Sequence, residues 1–227
     1  MPLLIVHSPK GGVGCTTVAA NLAAWLARGG RPIVAIDFSP YESLALHLER
    51  GQRQQPSGVE IWSRAQGHGR DRLIARIDEM LTDERVDDML MIADIPSGDQ
   101  ATLDALAGRC LIRLCVLAAD AGSAALLPSL LRSAPAGADE ARIHYVLNML
   151  DERRSVAREF HRLLGAAAGE DLVAVIRRDE AVNEALAMLM PVHDHAPASA
   201  AALDLTGLAD RVAASLDIER SAQETAS

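Results

Sequence analysis

The chain has 227 residues, 49% of them hydrophobic, with 31 acidic residues against 22 basic ones and a formal net charge of −9. That length suits one doubly wound α/β domain. The acidic balance disfavours a broad nucleic-acid-binding surface, and every apolar run is shorter than the roughly 18 to 20 residues that span a membrane.

Short apolar runs alternate with helical patterns along the chain, the signature of βα units on a mostly parallel sheet covered by helices on both faces. The expected strands are Leu3–His7, Ile33–Asp37, Met89–Asp94, Leu111–Leu117, Ile143–Asn148 and Leu172–Ile176. Helices are expected at Thr16–Arg28 before Gly29-Gly30, then at Asp71–Leu81, Gln100–Ala107, Ser123–Leu131, Glu152–Leu164, Glu180–Leu189 and Ala200–Leu216. The Gly-, Gln-, Pro- and Ser-rich stretch Arg50–Arg70 reads as an irregular surface excursion. Residues 1–216 form the expected single domain, and 217–227 a polar, flexible tail. MPLLIVHSPK has no basic n-region and runs straight into a strand, so no secretory signal is expected and the cytoplasm is the expected compartment.

After the first strand comes Ser8-Pro9-Lys10-Gly11-Gly12-Val13-Gly14-Cys15-Thr16-Thr17, followed at once by an Ala/Leu-rich helix. Strand, glycine loop and helix N-terminus together aim backbone N–H groups at a phosphate chain, and Thr16 offers a hydroxyl where magnesium wants a hard oxygen. A glycine-rich turn can lead into a helix without any ligand, but this combination favours nucleotide. Further on, Met89–Asp94 is an apolar strand ending in Asp94-Ile95-Pro96-Ser97-Gly98. A carboxylate at that strand end can hold magnesium through water, and Gly98 permits a mobile turn. Lys10 is the only lysine; every other residue of the basic set is arginine.

These motifs resemble the deviant Walker A ATPases of the MinD/ParA type, whose loop reads K-G-G-x-G-K-[ST]-[ST]. The resemblance implies bound ATP or ADP with Mg2+. The backbone of Gly11, Gly12, Val13, Gly14 and Cys15 would meet phosphate, Thr16 and Thr17 would lie at the helix start, and Gly98 in switch II. It also implies a homodimer closed around nucleotide, in which Lys10 reaches the partner's phosphates. The in-subunit lysine of the family falls on Cys15. A thiol brings no positive charge there, and losing a fixed cation from a phosphoryl-transfer site should lower the rate on the order of 10²-fold or more. The helix N-terminus is expected to lower the Cys15 pKa in an empty site.

The family's D-x-D becomes Asp37-Phe38-Ser39 here. Asp37 and Asp94 are thus the carboxylates implied around magnesium, with Asp37 and Lys10 the implied catalytic residues, while Ser39 replaces the water-positioning Asp. Asn148 is implied against adenine, though by itself it reads equally as a turn residue. The segment Ile176-Arg177-Arg178-Asp179-Glu180-Ala181, followed by Glu184-Ala185-Leu186-Ala187 and Pro191-Val192, is similar to the branch encoded in bacterial cellulose synthase operons, the BcsQ (YhjQ) branch. That similarity implies cellulose synthase components as partners, recruitment to the inner membrane or pole only through a partner, weak or absent hydrolysis, and no nucleic acid. A ParA-like ATPase positioning cargo on the nucleoid and a nucleotide-free scaffold are the alternatives. His193-Asp194-His195 reads as a polar loop rather than a metal site, and Cys110 and Cys115 as core thiols.

Overall fold

The computed structural model describes residues 2–48, 58–64, 69–83, 89–132 and 142–226, with side chains as far as Asp217 in the last helix. Seven strands, β1 (Leu3–His7), β2 (Ile33–Asp37), β3 (Val59–Ser63), β4 (Leu90–Asp94), β5 (Ile112–Ala118), β6 (Ile143–Leu150) and β7 (Leu172–Arg177), form one sheet in the order β3-β2-β4-β1-β5-β6-β7. All pairings are parallel. β1, β2 and β4 are buried from end to end, as strands covered on both faces must be, and this explains their unbroken apolar runs.

Alternation along β1 assigns the layers. Leu4 and Val6 face a core shared with α1 (Cys15–Arg28), α2 (Ser43–Leu48), α7 (Ala181–Ala187), α8 (Val192–His195) and α9 (Ala200–Ala226). Leu3 and Ile5 face the opposite side, where α3 (Arg70–Leu81) and α4 (Gln100–Ala107) bury Leu73, Ile77, Leu103 and Leu106. On that same side of the sheet, α5 (Ala121–Arg132) and α6 (Ser155–Ala168) cover β5 and β6 through Leu127, Ala157, Phe160 and Leu164. α1 is Ala-rich on its buried face, which brings it close over the strands, and it stops at Gly29-Gly30, where Gly30 takes φ +88°. Among the described residues no helix is long and apolar enough to cross a membrane.

Three expectations need correction. The stretch Arg50–Arg70 is not wholly an excursion: residues 50–57 and 65–68 lie outside the described residues, but Val59–Ser63 is an edge strand paired with β2, with Trp62 and Ser63 buried. Its Val-Glu-Ile-Trp alternation was the available signal. The helix α2 was missed because six residues show less than two turns of periodicity. α9 does not end at Leu216, since its backbone stays helical through Ala226.

Candidate functional site

β1 lies at the centre, with β4, β2 and β3 on one side and β5, β6 and β7 on the other, so the direction of winding reverses at β1. Such a switch point opens a crevice at the carboxyl ends of the strands. The glycine loop leaves β1 into that crevice. Gly12 and Gly14 adopt φ +74° and +90°, and Gly14 caps α1 in the left-handed region. A Cβ on Gly14 would also stand 2.4 Å from Asn148 Nδ2, so both backbone and space demand glycine there.

Asn148 therefore sits against the loop itself. Its Nδ2 donates to the Val13 carbonyl at 2.8 Å, and its Oδ1 accepts the Met149 N–H at 2.9 Å. This buried amide ties β6 to the loop across the sheet, a bracing duty that the sequence did not disclose.

The carboxylates come together as the strand order requires, for Asp37 and Asp94 are register partners at the ends of β2 and β4. Thr16 Oγ1 donates to Asp94 Oδ2 at 2.6 Å. Asp94 is 2% exposed, and its other oxygen, Oδ1, is buried with no hydrogen-bond partner. Burial pushes the Asp94 carboxyl up to about 7; the Thr16 hydroxyl opposes the rise and the Asp37 charge adds to it. An orphaned carboxylate oxygen beside a threonine hydroxyl is a donor set suited to a hydrated magnesium ion, which needs one or two carboxylates and keeps several waters. Asp37 is fully buried, and both its oxygens accept backbone N–H groups, from Ser39 at 2.7 Å and Leu44 at 2.8 Å. It therefore shapes the β2–α2 loop and caps α2. Burial raises its carboxyl above the usual range against those two donors. Ser39 is likewise engaged in the turn, accepting the Tyr41 N–H and sharing a 3.0 Å contact with Ser43 Oγ.

Cys15 corrects a sequence expectation. Burial first, then the Asp94 charge and Cys115, push its thiol well above the ordinary value, and its own N–H and Ser8 offset only part of this. Desolvation outweighs the helix terminus, so Cys15 is a neutral thiol in the loop.

Lys10 Nζ pairs within its own chain with Asp120 Oδ2 at 2.5 Å. Asp120 follows β5, and its Oδ1 accepts the Ser123 N–H at 2.8 Å. Partial burial pulls the Asp120 carboxyl up, but Lys10 and Ser123 outweigh it and hold it below its usual range. Gly122 makes room, since a Cβ there would lie 3.0 Å from the ammonium. The sequence reading does not single out Asp120, although a carboxylate at or just beyond the end of an apolar strand is the same signal that marks Asp37 and Asp94.

The remaining motifs resolve into packing. Asp179 accepts N–H groups from Ala181 and Ala201, joining the starts of α7 and α9, while Arg177 forks onto Asp204 at 2.7 and 2.8 Å. Asn21 of α1 accepts the Val192 N–H at 2.8 Å. His193 stacks edge-on to Trp25, Asp194 pairs with Arg28, and His195 meets Glu184, so the three side chains turn to three different partners. Thr17 lends its carbonyl to Asn21, and Gly98 takes φ +88° in the turn after β4.

A glycine loop at the head of a parallel sheet, with Thr16 against the β4 carboxylate, defines the P-loop nucleotide-binding fold of the MinD/ParA type. The CobQ/CobB/MinD/ParA nucleotide binding domain model matches residues 4–192, and the chain belongs to that family. It is 30% identical over 246 residues to the chromosome-partitioning ATPase Soj of Thermus thermophilus, covering 93% of this chain and 95% of that protein. Its fold is similar to MinD cell division protein from Aquifex aeolicus (TM-score 0.73, 17% identity, 94% of this chain and 97% of that one). It is also similar to the septum site-determining protein MinD of Pyrococcus horikoshii, solved with Mg-ADP (TM-score 0.69, 20% identity, 93% and 95% of the two chains).

Proposed function

We propose that this chain is an ATP-binding switch that dimerises around nucleotide, hydrolyses it slowly or not at all, and serves bacterial cellulose synthesis and secretion. The observation that carries the nucleotide reading is the orphaned Asp94 oxygen beside Thr16 at the mouth of a glycine loop. Magnesium bound there would neutralise charge on the phosphates of the nucleotide. The backbone of Gly11–Cys15 holds phosphate, Thr16 and Asp94 hold the ion, and Asp37 supports its waters through charge and through the loop it caps. Asn148, whose second amide proton is not taken by Val13, would be the residue to meet the base.

Slow hydrolysis follows from two neutral side chains. Cys15 supplies no cation to the developing charge, and the Ser39 hydroxyl is tied into its own turn. The dimer rests on Lys10, whose pairing with Asp120 is solvent-accessible on both sides and so easily exchanged for a partner's phosphates. The Arg177-to-Val192 segment and the substitutions at Cys15 and Ser39 together favour the cellulose-operon branch, with recruitment to the membrane through a synthase component.

The similarity to Soj favours a second reading, an ATPase that positions cargo on the nucleoid. It requires nucleotide-dependent DNA binding and steady phosphate release, both disfavoured by the net charge of −9 and by Cys15. Mass spectrometry of nucleotide released from fresh protein, with light scattering in ATP and ADP, tests the proposal. ATP or ADP with an ATP-dependent dimer is expected. Absence of nucleotide, with no thermal shift from any added nucleotide, would instead leave a scaffold.

A further inference from the structure

α4 packs on α3 and α5 on α6, and between these pairs the sheet face over β1 and β5 is left open as a cavity of about 700 Å3. That volume falls within the roughly 300–1,000 Å3 of small-molecule sites. Its floor interrupts the apolar face, with His7 of β1 and Arg113 of β5 where the two flanking clusters would otherwise meet. Arg113 Nε donates to His7 Nε2 at 3.1 Å, and no carboxylate lies within ion-pair distance of this arginine among the described residues. Burial, with Arg113 second, lowers the His7 pKa to about 3, so His7 is a neutral acceptor and does not offset the guanidinium charge.

We propose that this cavity binds a small organic carboxylate with an apolar body, its head held by the two terminal nitrogens of Arg113. A half-buried guanidinium with no counter-ion among the described residues is costly, and the planar fork matches a carboxylate in two parallel hydrogen bonds. Nothing else in the lining provides a second cation, which a phosphate dianion would want. Ile95, Leu103, Leu130 and Ile143 give the wall an apolar stretch on which the ligand's body would lie, beside polar groups of Ser8, Gln100 and Tyr145. Two acidic side chains line the rim and are already engaged. Asp104 is exposed and bonded to Gln100, and Asp99 accepts from the N–H and hydroxyl of Thr102 in the first turn of α4. The cavity backs onto Ser8-Pro9 and onto Pro96 and Gly98, so an occupant touches both segments that border the nucleotide loop.

The test uses the full chain without nucleotide, with 4-fluorobenzoate as probe and 19F NMR as readout. Wild-type protein is expected to bind it saturably. The neutral 4-fluorobenzyl alcohol should bind at least about tenfold more weakly, and Arg113→Gln should weaken 4-fluorobenzoate by a similar factor. No saturation up to about 10 mM, or equal affinity for acid and alcohol, would overturn the site. So would unchanged affinity in an Arg113→Gln protein that melts like wild type. The acid-against-alcohol comparison needs no variant, and no outcome depends on nucleotide binding.

Discussion

Asp94→Asn isolates the energetic cost of the candidate magnesium carboxylate. Burial pushes the native carboxyl up to about 7 from the ordinary 3.8. Below pH 3.8 both folded and unfolded states carry the proton and nothing is at stake. Between 3.8 and about 7 the unfolded chain has lost the proton while the native state keeps it, so stability falls as pH rises. Above about 7 both states are ionised and the full penalty, about 4 kcal/mol, is in place. At pH 5 the same pair of values gives only about 2 kcal/mol. Asparagine keeps the acceptor for Thr16 but does not ionise. It leaves a buried N–H in place of Oδ1, at a roughly pH-independent cost of about 1–3 kcal/mol. The difference between the two pH values is therefore free of that cost. Asp94→Asn should gain roughly 2–3 kcal/mol relative to wild type on going from pH 5 to pH 8, read from urea unfolding of nucleotide-free protein. A variant whose stability difference from wild type is the same at both pH values would refute the reasoning, because a carboxylate indifferent to pH is not desolvated as the structure has it.

Gly14→Ala should cost about 2 kcal/mol or more in thermal or urea unfolding, since φ +90° is strained for alanine and the new Cβ displaces Asn148 from Val13. A melting temperature equal to wild type would deny the brace. Lys10→Ala should change stability by less than about 1 kcal/mol, because its Asp120 pair is half-exposed, yet prevent the proposed ATP-dependent dimer, with light scattering as the readout. An unchanged molar mass in ATP and magnesium would remove Lys10 from the interface. Cys15→Lys restores a cation beside the phosphates and should raise phosphate release about tenfold or more; no increase would mean that Ser39 alone limits turnover.

Much of this architecture is local. β1 and β2 have the limits expected from their apolar runs, and α4 spans the expected Gln100–Ala107, with Asp99 capping it through Thr102. Elements fixed by tertiary pairing were harder to see. β3 earns its place only by hydrogen bonding along β2, and α2 by the Asp37 carboxylate that caps it. The loop glycines were legible because positive φ and close approach leave few alternatives to glycine.

The sequence by itself determined the order of the strands and helices apart from β3, α2 and α8, the glycine loop with Thr16, and the carboxylates at strand ends, since each is written in short-range periodicity and spacing. Only the tertiary structure decided what those groups meet. It set Lys10 on an aspartate 110 residues away, left one oxygen of Asp94 without a partner, and made Cys15 a neutral thiol against the expectation from its helix terminus. Charge and desolvation depend on neighbours brought together by the sheet order, and that order is a property of the packed molecule rather than of any segment of the chain.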